Sequence, residues 1–142
     1  MEFITNSAKE TQAAAKKIMK KLASQPRRGA LVLALSGELG AGKTTFIQGL
    51  APALGIKEKV LSPTFVIMKH FKNLYHIDCY RLSGAKDLKG LDFEKIIKNP
   101  KNIVVIEWAE KIKSALPENA VWLKFEHLGK DGRKIKILNF NF

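Results

Sequence analysis

The chain alternates between stretches of continuous apolar residues and stretches whose apolar residues recur at helical intervals. Ala30 to Ser36 and Ile103 to Ile106 are almost entirely apolar, which is typical of central parallel strands covered on both faces. From Ser7 onward, apolar side chains instead follow the period of a helix, with lysines mostly on the opposite side. Ser7 and Glu10 have the S-x-x-E spacing of a capping box, so a helix is predicted to begin just after Ser7.

Turn-forming residues separate the elements that follow. A second helix is predicted to begin near Gly42 and to end or kink at Pro52, because proline disrupts a helix interior. Further on, two strands are predicted at Thr64 to Phe71 and Leu74 to Ile77. A tight turn at Lys72-Asn73 would join them into a hairpin.

The second half of the chain predicts a different mixture of elements. The polar stretch from Leu82 to Asn99 is expected to form short helical pieces, and residues 120–126 and 133–140 a hairpin around Asp131-Gly132. Met1 to Ile4 is predicted to form an edge strand. Strands alternating with helices indicate an α/β fold of three layers, with a mainly parallel central sheet and a C-terminal β-hairpin. No linker or repeat interrupts residues 1–142, so a single domain is expected.

Composition is consistent with a globular protein of this kind. The 142 residues are 46% hydrophobic and 27% charged, which is wrong for a disordered chain. The longest smooth apolar run, Ala30 to Leu35, is too short for a membrane helix or a secretion signal. The single cysteine, Cys79, cannot form an intramolecular disulfide and is expected to be a packed small residue rather than a nucleophile. A cytoplasmic protein is therefore expected.

The net charge of +12 raises the question of a nucleic-acid partner. Lysine and arginine total 25 residues against 13 acidic ones, but the excess is shared evenly between residues 1–60 and 61–142. Only four of the basic residues are arginine, the residue that makes forked contacts to phosphates and bases. The charge therefore favours a lysine-rich solvated surface over a dedicated nucleic-acid face.

A phosphate-binding loop is the strongest chemical signal in the chain. The motif G-x-x-x-x-G-K-[ST] is matched in full, directly after a buried strand and at the start of a helix. The residues expected to bind the nucleotide are Gly37, Glu38, Leu39, Gly40, Ala41, Gly42, Lys43, Thr44 and Thr45. Loop amides and the helix N-terminus would surround the phosphates, Lys43 would reach the β- and γ-phosphates, and the Thr44 hydroxyl would bind Mg²⁺.

Two acidic residues follow apolar strands and are candidates to complete the site. Glu107 comes directly after Ile103 to Ile106, where a carboxylate can hold Mg²⁺ directly or through water. Asp78 also follows an apolar strand segment, as a rival or collaborator for metal and water. The D-x-x-G at Asp87 to Gly90 is not preceded by a buried strand, and no N-K-x-D motif is present. ATP is therefore favoured over GTP.

Four segments resemble, in order and spacing, the bacterial TsaE (YjeE) ATPase family. They are Gly37 to Phe46, Ser62-Pro63-Thr64-Phe65, His76 to Leu82, and Ile106-Glu107-Trp108. The phosphate loop alone is generic, whereas its combination with S-P-T-F, H-x-D-x-Y-R-L and E-W is specific. The resemblance implies a small P-loop ATPase that acts with TsaB and TsaD to make threonylcarbamoyladenosine in tRNAs reading ANN codons.

The resemblance also implies roles for individual residues. Thr64 is similar to a threonine that senses the γ-phosphate and Mg²⁺, and Asp78 to an essential acidic residue that positions water. Glu107 is similar to the Mg²⁺ ligand, and Trp108 to the aromatic residue beside the nucleotide. The catalytic set expected from motif and resemblance together is Lys43, Thr64, Asp78 and Glu107, with Thr44 and Glu107 as metal ligands.

Further implied contacts lie at the two ends of the chain. The resemblance implies that residues around Ser7 and Arg133 lie near the adenine and the phosphates. The chain departs from the family pattern at Cys79, where leucine is usual, and at Ala109, where proline is usual. The stretch from Ala85 to Lys98 follows the family only loosely, which bears on partner contacts more than on ATP chemistry.

The leading hypothesis is thus Mg²⁺-dependent ATP hydrolysis, slow in the isolated chain and coupled to a tRNA-modifying complex. A small P-loop nucleotide or metabolite kinase is the alternative, although few arginines are available for a kinase lid. A non-catalytic nucleotide switch that binds RNA through its lysines is a third interpretation. tRNA is expected to be met through the complex, and no membrane partner is expected.

Overall fold

Seven strands build the sheet that organises the described part of the chain. The computed structural model describes residues 1–38, 40–57 and 67–139. The strands are β1 (Glu2–Thr5), β2 (Leu31–Gly37), β3 (Met68–Phe71), β4 (Leu74–Asp78), β5 (Ile103–Glu107), β6 (Val121–Leu128) and β7 (Gly132–Ile137). They form one sheet in the order β1-β7-β6-β2-β5-β4-β3, so β2 occupies its centre.

The sheet is mixed rather than mainly parallel. The pairs β6–β2, β2–β5 and β5–β4 are parallel, whereas β3–β4, β6–β7 and β1–β7 are antiparallel. Short turns join β3 to β4 and β6 to β7, and short turns can connect only antiparallel neighbours. The expectation of a mainly parallel sheet therefore holds for the four central strands and not for the edges.

Both faces of the central strands are covered. Along β2, Leu31, Leu33 and Leu35 point into one buried cluster, and Val32 and Ala34 into another. Alternate residues of a strand face opposite sides of its sheet. This two-sided burial is the reason that β2 lacks any polar alternation, as the sequence predicted.

Two longer helices cover one face of the sheet and shorter ones the other. The helices α1 (Ala8–Ala23) and α2 (Lys43–Ala53) contribute to the cluster that contains Leu33. The helix α3 (Phe93–Lys98) and two 3₁₀ segments, Ala85–Leu88 and Ala109–Ala115, contribute to the other. The prediction of short helical pieces in the polar stretch after Leu82 is confirmed.

The ends of the predicted elements agree with their local chemistry. Ser7 caps α1, its Oγ accepting a hydrogen bond of 3.1 Å from the Glu10 backbone N–H, as the capping box requires. The helix α2 runs one residue past Pro52. The predicted strand from Thr64 is observed from Met68, and its part at residues 64–66 lies outside the described residues. Both predicted hairpins and the N-terminal edge strand are confirmed.

The strand register brings the candidate residues to one edge of the sheet. Asp78 at the end of β4 pairs with Glu107 at the end of β5, and Leu35 near the end of β2 pairs with Glu107 on its other side. In sheets with parallel strands, ligands bind outside the carboxyl ends of those strands. No helix in the described residues is long and apolar enough to cross a membrane.

Candidate functional site

The loop between β2 and α2 has a backbone that two of its glycines make possible. Gly37 has a φ of 134°, and an added Cβ would lie 2.4 Å from the Phe125 backbone oxygen. Gly42 has a φ of 97°, and its Cβ would lie 3.3 Å from Cδ of Arg133. Residues other than glycine rarely adopt these backbone angles. The motif glycines therefore let the loop turn tightly and let Arg133 approach it.

The loop ends at a helix N-terminus that none of the described side chains caps. Gly42 occupies the N-cap position of α2 without a side-chain hydrogen bond. The first backbone N–H groups of a helix have no partner within the helix and attract anions. The free backbone N–H groups at the start of α2 could therefore bind an anion that lies in the cleft.

Lys43 lies across the mouth of this loop. Its Nζ donates a hydrogen bond of 2.6 Å to the Gly37 backbone oxygen and lies 3.9 Å from the centroid of the Trp108 ring. The residue is 5% exposed. Burial lowers the pKa of the Lys43 ammonium, while the carboxylates of Glu107, Glu110 and Asp78 oppose that shift. The positive charge of Lys43 therefore lies in a partly desolvated part of the cleft, where solvent screens it less than at the protein surface.

Glu107 connects the loop side of the cleft to the core. Its Oε1 accepts a hydrogen bond of 3.5 Å from the Thr44 hydroxyl, and its Oε2 lies 2.7 Å from Nε2 of His76. Glu107 is 4% exposed and His76 is fully buried. The carboxylate is therefore fixed at both oxygens, with Oε1 on the side of α2.

Asp78 stands beside Glu107 at the end of β4. Its Oδ1 accepts a hydrogen bond of 3.0 Å from the Tyr80 backbone N–H. Burial raises the pKa of the Asp78 carboxyl, the Tyr80 hydrogen bond acts in the opposite direction, and the charge of Glu107 adds to the increase. Two carboxylates at adjacent strand ends thus differ in environment, since Glu107 is paired with His76 and Asp78 is open to the cleft.

Aromatic residues form one wall of the cleft. Trp108 has a left-handed backbone with φ 56°, and its ring lies 5.2 Å from that of Tyr80 at an angle of 54°. Lys111 donates a hydrogen bond to the Tyr80 backbone oxygen. The left-handed turn at Trp108 directs the chain from β5 into the 3₁₀ segment and places its ring over Lys43.

These groups line one cleft of about 280 Å³. The lining residues are Gly40, Gly42, Lys43, Thr44, Thr45, Asp78, Tyr80, Glu107, Trp108 and Arg133. All but Tyr80 belong to the predicted site. A larger depression of about 780 Å³ lies on the side of α3, between Ala85 and Ala115, and contains none of the predicted site residues.

The other predicted residues do not line this cleft or are not described. Gly37 is nonetheless bound to Lys43 through its backbone oxygen, while Glu38 is exposed and Ala41 is buried in the core. Ser7 serves as the cap of α1, and Thr5 just before it pairs with Arg133 in the sheet register. Leu39 and Thr64 lie outside the described residues.

The sequence reasoning did not assign a role to His76 or Tyr80. His76 could have been found from the strand period of two, because residues 74, 76 and 78 of β4 share one face, as do residues 103, 105 and 107 of β5. The signal for Tyr80 was the H-x-D-x-Y-R-L motif, in which it is the fixed tyrosine two residues after Asp78. Cys79, by contrast, is fully buried and its pKa is raised to about 12 by burial, as expected for a packed thiol.

The oxygen atoms of Thr44 and Glu107 are the ones that fit a magnesium ion. Magnesium keeps several waters and is usually held by one or two protein oxygens together with phosphate oxygens. The hydroxyl and the carboxylate Oε1 meet this requirement at 3.5 Å from each other. No group of three histidine, cysteine or acidic side chains suited to a metal is formed by the described residues.

Comparison with known proteins gives a consistent result. The model of the family described as "Threonylcarbamoyl adenosine biosynthesis protein TsaE" matches residues 5–135. The tRNA threonylcarbamoyladenosine biosynthesis protein TsaE of Treponema pallidum is 38% identical over 109 residues, covering 75% of this chain and 80% of that protein. The protein of the same name from Bacillus subtilis is 36% identical over 139 residues, covering 95% and 83%. The crystal structure of Bacillus subtilis YdiB aligns with a TM-score of 0.71 at 33% identity, covering 95% and 82%.

Proposed function

The chain belongs to the TsaE family of threonylcarbamoyladenosine biosynthesis proteins, and on that premise we propose that it hydrolyses ATP with Mg²⁺ in support of this tRNA modification. The ATP would lie in the cleft between the β2–α2 loop and the ends of β4 and β5. One observation carries the proposal: the Lys43 ammonium, the Thr44 hydroxyl and the Glu107 carboxylate converge in that cleft at the start of an uncapped helix.

Binding of the triphosphate would rearrange Lys43. In the free chain its ammonium is engaged by the Gly37 oxygen and the Trp108 ring. Phosphate oxygens are stronger acceptors than a neutral carbonyl, because both partners are then charged. Lys43 would therefore turn toward the β- and γ-phosphates while the loop amides and the N-terminus of α2 hold the remaining oxygens. Arg133, which packs on Gly42, would add a second positive charge from β7.

Thr44 and Glu107 would hold the magnesium ion. When bound, Mg²⁺ would supply positive charge that offsets the charge on the phosphates during transfer. The Thr44 Oγ1 and the Glu107 Oε1 are the atoms suited to this, because the Glu107 Oε2 is already engaged by His76.

Asp78 would orient the attacking water. Its Oδ1 is occupied by the Tyr80 N–H, so Oδ2 would accept the hydrogen bond of the water. A carboxyl whose pKa burial raises is a better proton acceptor than a fully solvated one. Thr64, as the family resemblance implies, would sense the γ-phosphate. Trp108, Arg133 and the region of Ser7 would contact the nucleotide.

The site of the isolated chain would work slowly and would be completed by other proteins. We infer that residues 1–142 act as one three-layer P-loop ATPase domain in the cytoplasm, with TsaB and TsaD as partners and tRNA met through that complex. ATP hydrolysis by this domain would then drive a change in its partners.

The test is ATP hydrolysis measured with Lys43→Ala, with Lys130→Ala as the matched control. Lys130 is an exposed lysine in the turn between β6 and β7. Lys43→Ala is expected to lower kcat/KM at least about 100-fold, the size of effect seen when one group that stabilises developing charge is removed. Lys130→Ala is expected to match the wild type. Unchanged hydrolysis by Lys43→Ala would contradict the site.

The coupling is tested by repeating the assay with TsaB and TsaD. A higher rate of phosphate release in their presence is expected, and equal rates would remove the coupling. Transfer of phosphate to an added nucleotide or metabolite acceptor, in excess of release to water, would favour a kinase instead.

A further inference from the structure

His76 is a fully buried polar residue on β4. Its neighbours on the same face of that strand are Leu74 and Asp78, and its register partners are Lys69 on β3 and Val105 on β5. Leu74, Val105 and His76 are each fully buried. The side chain lies on the face of the sheet covered by α2, one strand period below Asp78.

Only one of the two ring nitrogens of His76 is used. Nε2 lies 2.7 Å from the Glu107 Oε2, and Nδ1 is buried without a hydrogen-bond partner among the described residues. An ionised carboxylate can only accept hydrogen bonds, so the proton of a neutral His76 ring belongs on Nε2. Nδ1 is then an unpaired acceptor within the core.

The unpaired Nδ1 of His76 lowers the stability of the fold, a cost that an apolar side chain at this position would avoid. A buried polar atom without a partner loses its hydration and gains nothing in return. Leucine or phenylalanine would fill the same layer without an unpaired nitrogen. What His76 provides, and an apolar side chain could not, is the hydrogen bond to Oε2 of Glu107. The other oxygen of Glu107 accepts the hydrogen bond from Thr44.

We propose that His76 is a positioning residue that fixes the Glu107 carboxylate, so that Oε1 alone is presented with Thr44 to the magnesium ion of the bound nucleotide. This rests on the proposed function of the cleft. Without the Nε2–H donor, Oε2 of Glu107 loses its hydrogen bond, and the attraction of the Lys43 ammonium would then draw the carboxylate away from this orientation. Groups that orient a metal ligand commonly change metal affinity 10–100-fold when they are removed.

The test compares three substitutions at residue 76 by calorimetric binding of a non-hydrolysable ATP analogue. His76→Phe keeps a ring and removes the donor. His76→Gln places an amide N–H near the position of Nε2, and His76→Asn places one near Nδ1, too short to reach Glu107. Binding is measured with excess Mg²⁺ and again with EDTA, so that the contribution of magnesium is separated from that of the loop.

His76→Phe and His76→Asn are expected to weaken binding in Mg²⁺ about 10-fold or more, and to leave binding in EDTA within about twofold of wild type. His76→Gln is expected to recover most of the Mg²⁺-dependent affinity. In a Glu107→Gln background, His76→Phe should have little further effect, because the two residues act as one unit. If His76→Phe does not fold, His76→Asn still provides the test, because it also lacks a donor that reaches Glu107.

The tautomer offers a readout that needs no nucleotide. Long-range ¹H–¹⁵N spectra of the free protein are expected to show a proton on Nε2 of His76. A ring without a proton on Nε2 would overturn the proposal, as would Mg²⁺-dependent binding that is equal in wild type, His76→Phe and His76→Asn. Loss of binding in Lys43→Ala together with unchanged binding in the His76 variants would overturn this inference alone. No binding by the wild type would overturn the proposed function with it.

Discussion

Two ionisable residues of the cleft, Lys43 and Asp78, lie where burial disfavours their charged forms. Lys43, His76 and Glu107 are each at least nine-tenths buried, and burial is the largest influence on the pKa values of both Lys43 and Asp78. Taking charged groups out of water costs free energy that only part of their mutual attraction returns. The buried charged groups of the site therefore lower the free energy of unfolding, as is common for residues kept for activity.

Asp78→Asn is expected to stabilise the free protein at neutral pH. Because the pKa of Asp78 is raised on folding, the native state binds a proton more readily than the unfolded state, and ionisation of Asp78 costs stability. Asparagine removes this cost and can still accept the Tyr80 N–H. The free energy of unfolding, measured by urea titration, should be higher in the variant at pH 7.

The difference between the two proteins should narrow as the pH falls through the pKa of Asp78, where the wild-type carboxyl becomes neutral. A control is Asp131→Asn, which changes an exposed acid in the turn between β6 and β7. A gap between wild type and Asp78→Asn that stays constant with pH would contradict the assignment. Hydrolysis should fall in Asp78→Asn, since the amide is a poor proton acceptor.

Individual site residues could be predicted from the sequence where a motif fixes their spacing along the chain. Lys43 and Thr44 follow from the loop motif, and Glu107 and Asp78 from acids placed after apolar strands. The hydrogen bond from His76 to Glu107 depends instead on the register of two parallel strands, which no local pattern specifies. The left-handed backbone at Trp108, which brings its ring over Lys43, is equally invisible to residue spacing.

Among the elements, α1 and α2 pack closely against each other at Gly49. At Gly49 of α2, an added Cβ would lie 2.7 Å from both the Cα and the backbone oxygen of Gln12 on α1. Backbone atoms cannot move aside as the end of a flexible side chain can. The absence of a side chain at Gly49 therefore sets the distance between the helix that follows the phosphate loop and its neighbour.

Gly49→Ala is expected to destabilise the protein by about 1–3 kcal/mol, the usual range for overpacking. This holds although alanine favours a helix over glycine by about 1 kcal/mol. Gly84→Ala is the control, because a Cβ there meets nothing within 4 Å. Unfolding midpoints in urea provide the measurement, and a Gly49→Ala protein as stable as Gly84→Ala would show that α1 shifts freely.

The types and order of the elements could be predicted, whereas their arrangement across the sheet could not. The apolar run of β2, the capping box at Ser7 and the turn at Lys72-Asn73 are local signals, and each corresponds to an observed feature. The pairing of β1 with β7 joins residues from opposite ends of the sequence. It depends on which edge remains open after the other strands have paired. The two hairpins were therefore predicted, and the antiparallel pairing of β1 with β7 was not.

The molecule as a whole is strongly basic and has few acids to balance its lysines. The net charge is +12, and surface pairs such as Lys136 with Glu2 at 3.8 Å and with Glu126 at 3.7 Å are half-exposed. Exposed pairs of this kind contribute little to stability. A bound triphosphate, by contrast, would bring negative charge to the partly buried Lys43, where it is less screened.

Mg²⁺ and a non-hydrolysable ATP analogue are therefore expected to raise the stability of the whole chain. A ligand that binds only the native state adds about 2.7 kcal/mol at 100 times its Kd. The midpoint of thermal unfolding should rise with ligand concentration in wild type and Lys130→Ala and stay fixed in Lys43→Ala. An equal rise in Lys43→Ala would place the ligand outside this cleft.

The central position of β2 has a consequence for synthesis of the chain on the ribosome. The strand is complete at Gly37, but its neighbours β5 and β6 begin only at Ile103 and Val121. The helices α1 and α2 are close to it in sequence and can cover one of its faces early, yet both hydrogen-bonding edges stay open. At about 5–20 residues per second, this wait lasts several seconds. An apolar strand with open edges is a template for pairing with other chains, so we expect the nascent chain to aggregate unless β2 is protected until β5 and then β6, which ends at Leu128, have emerged.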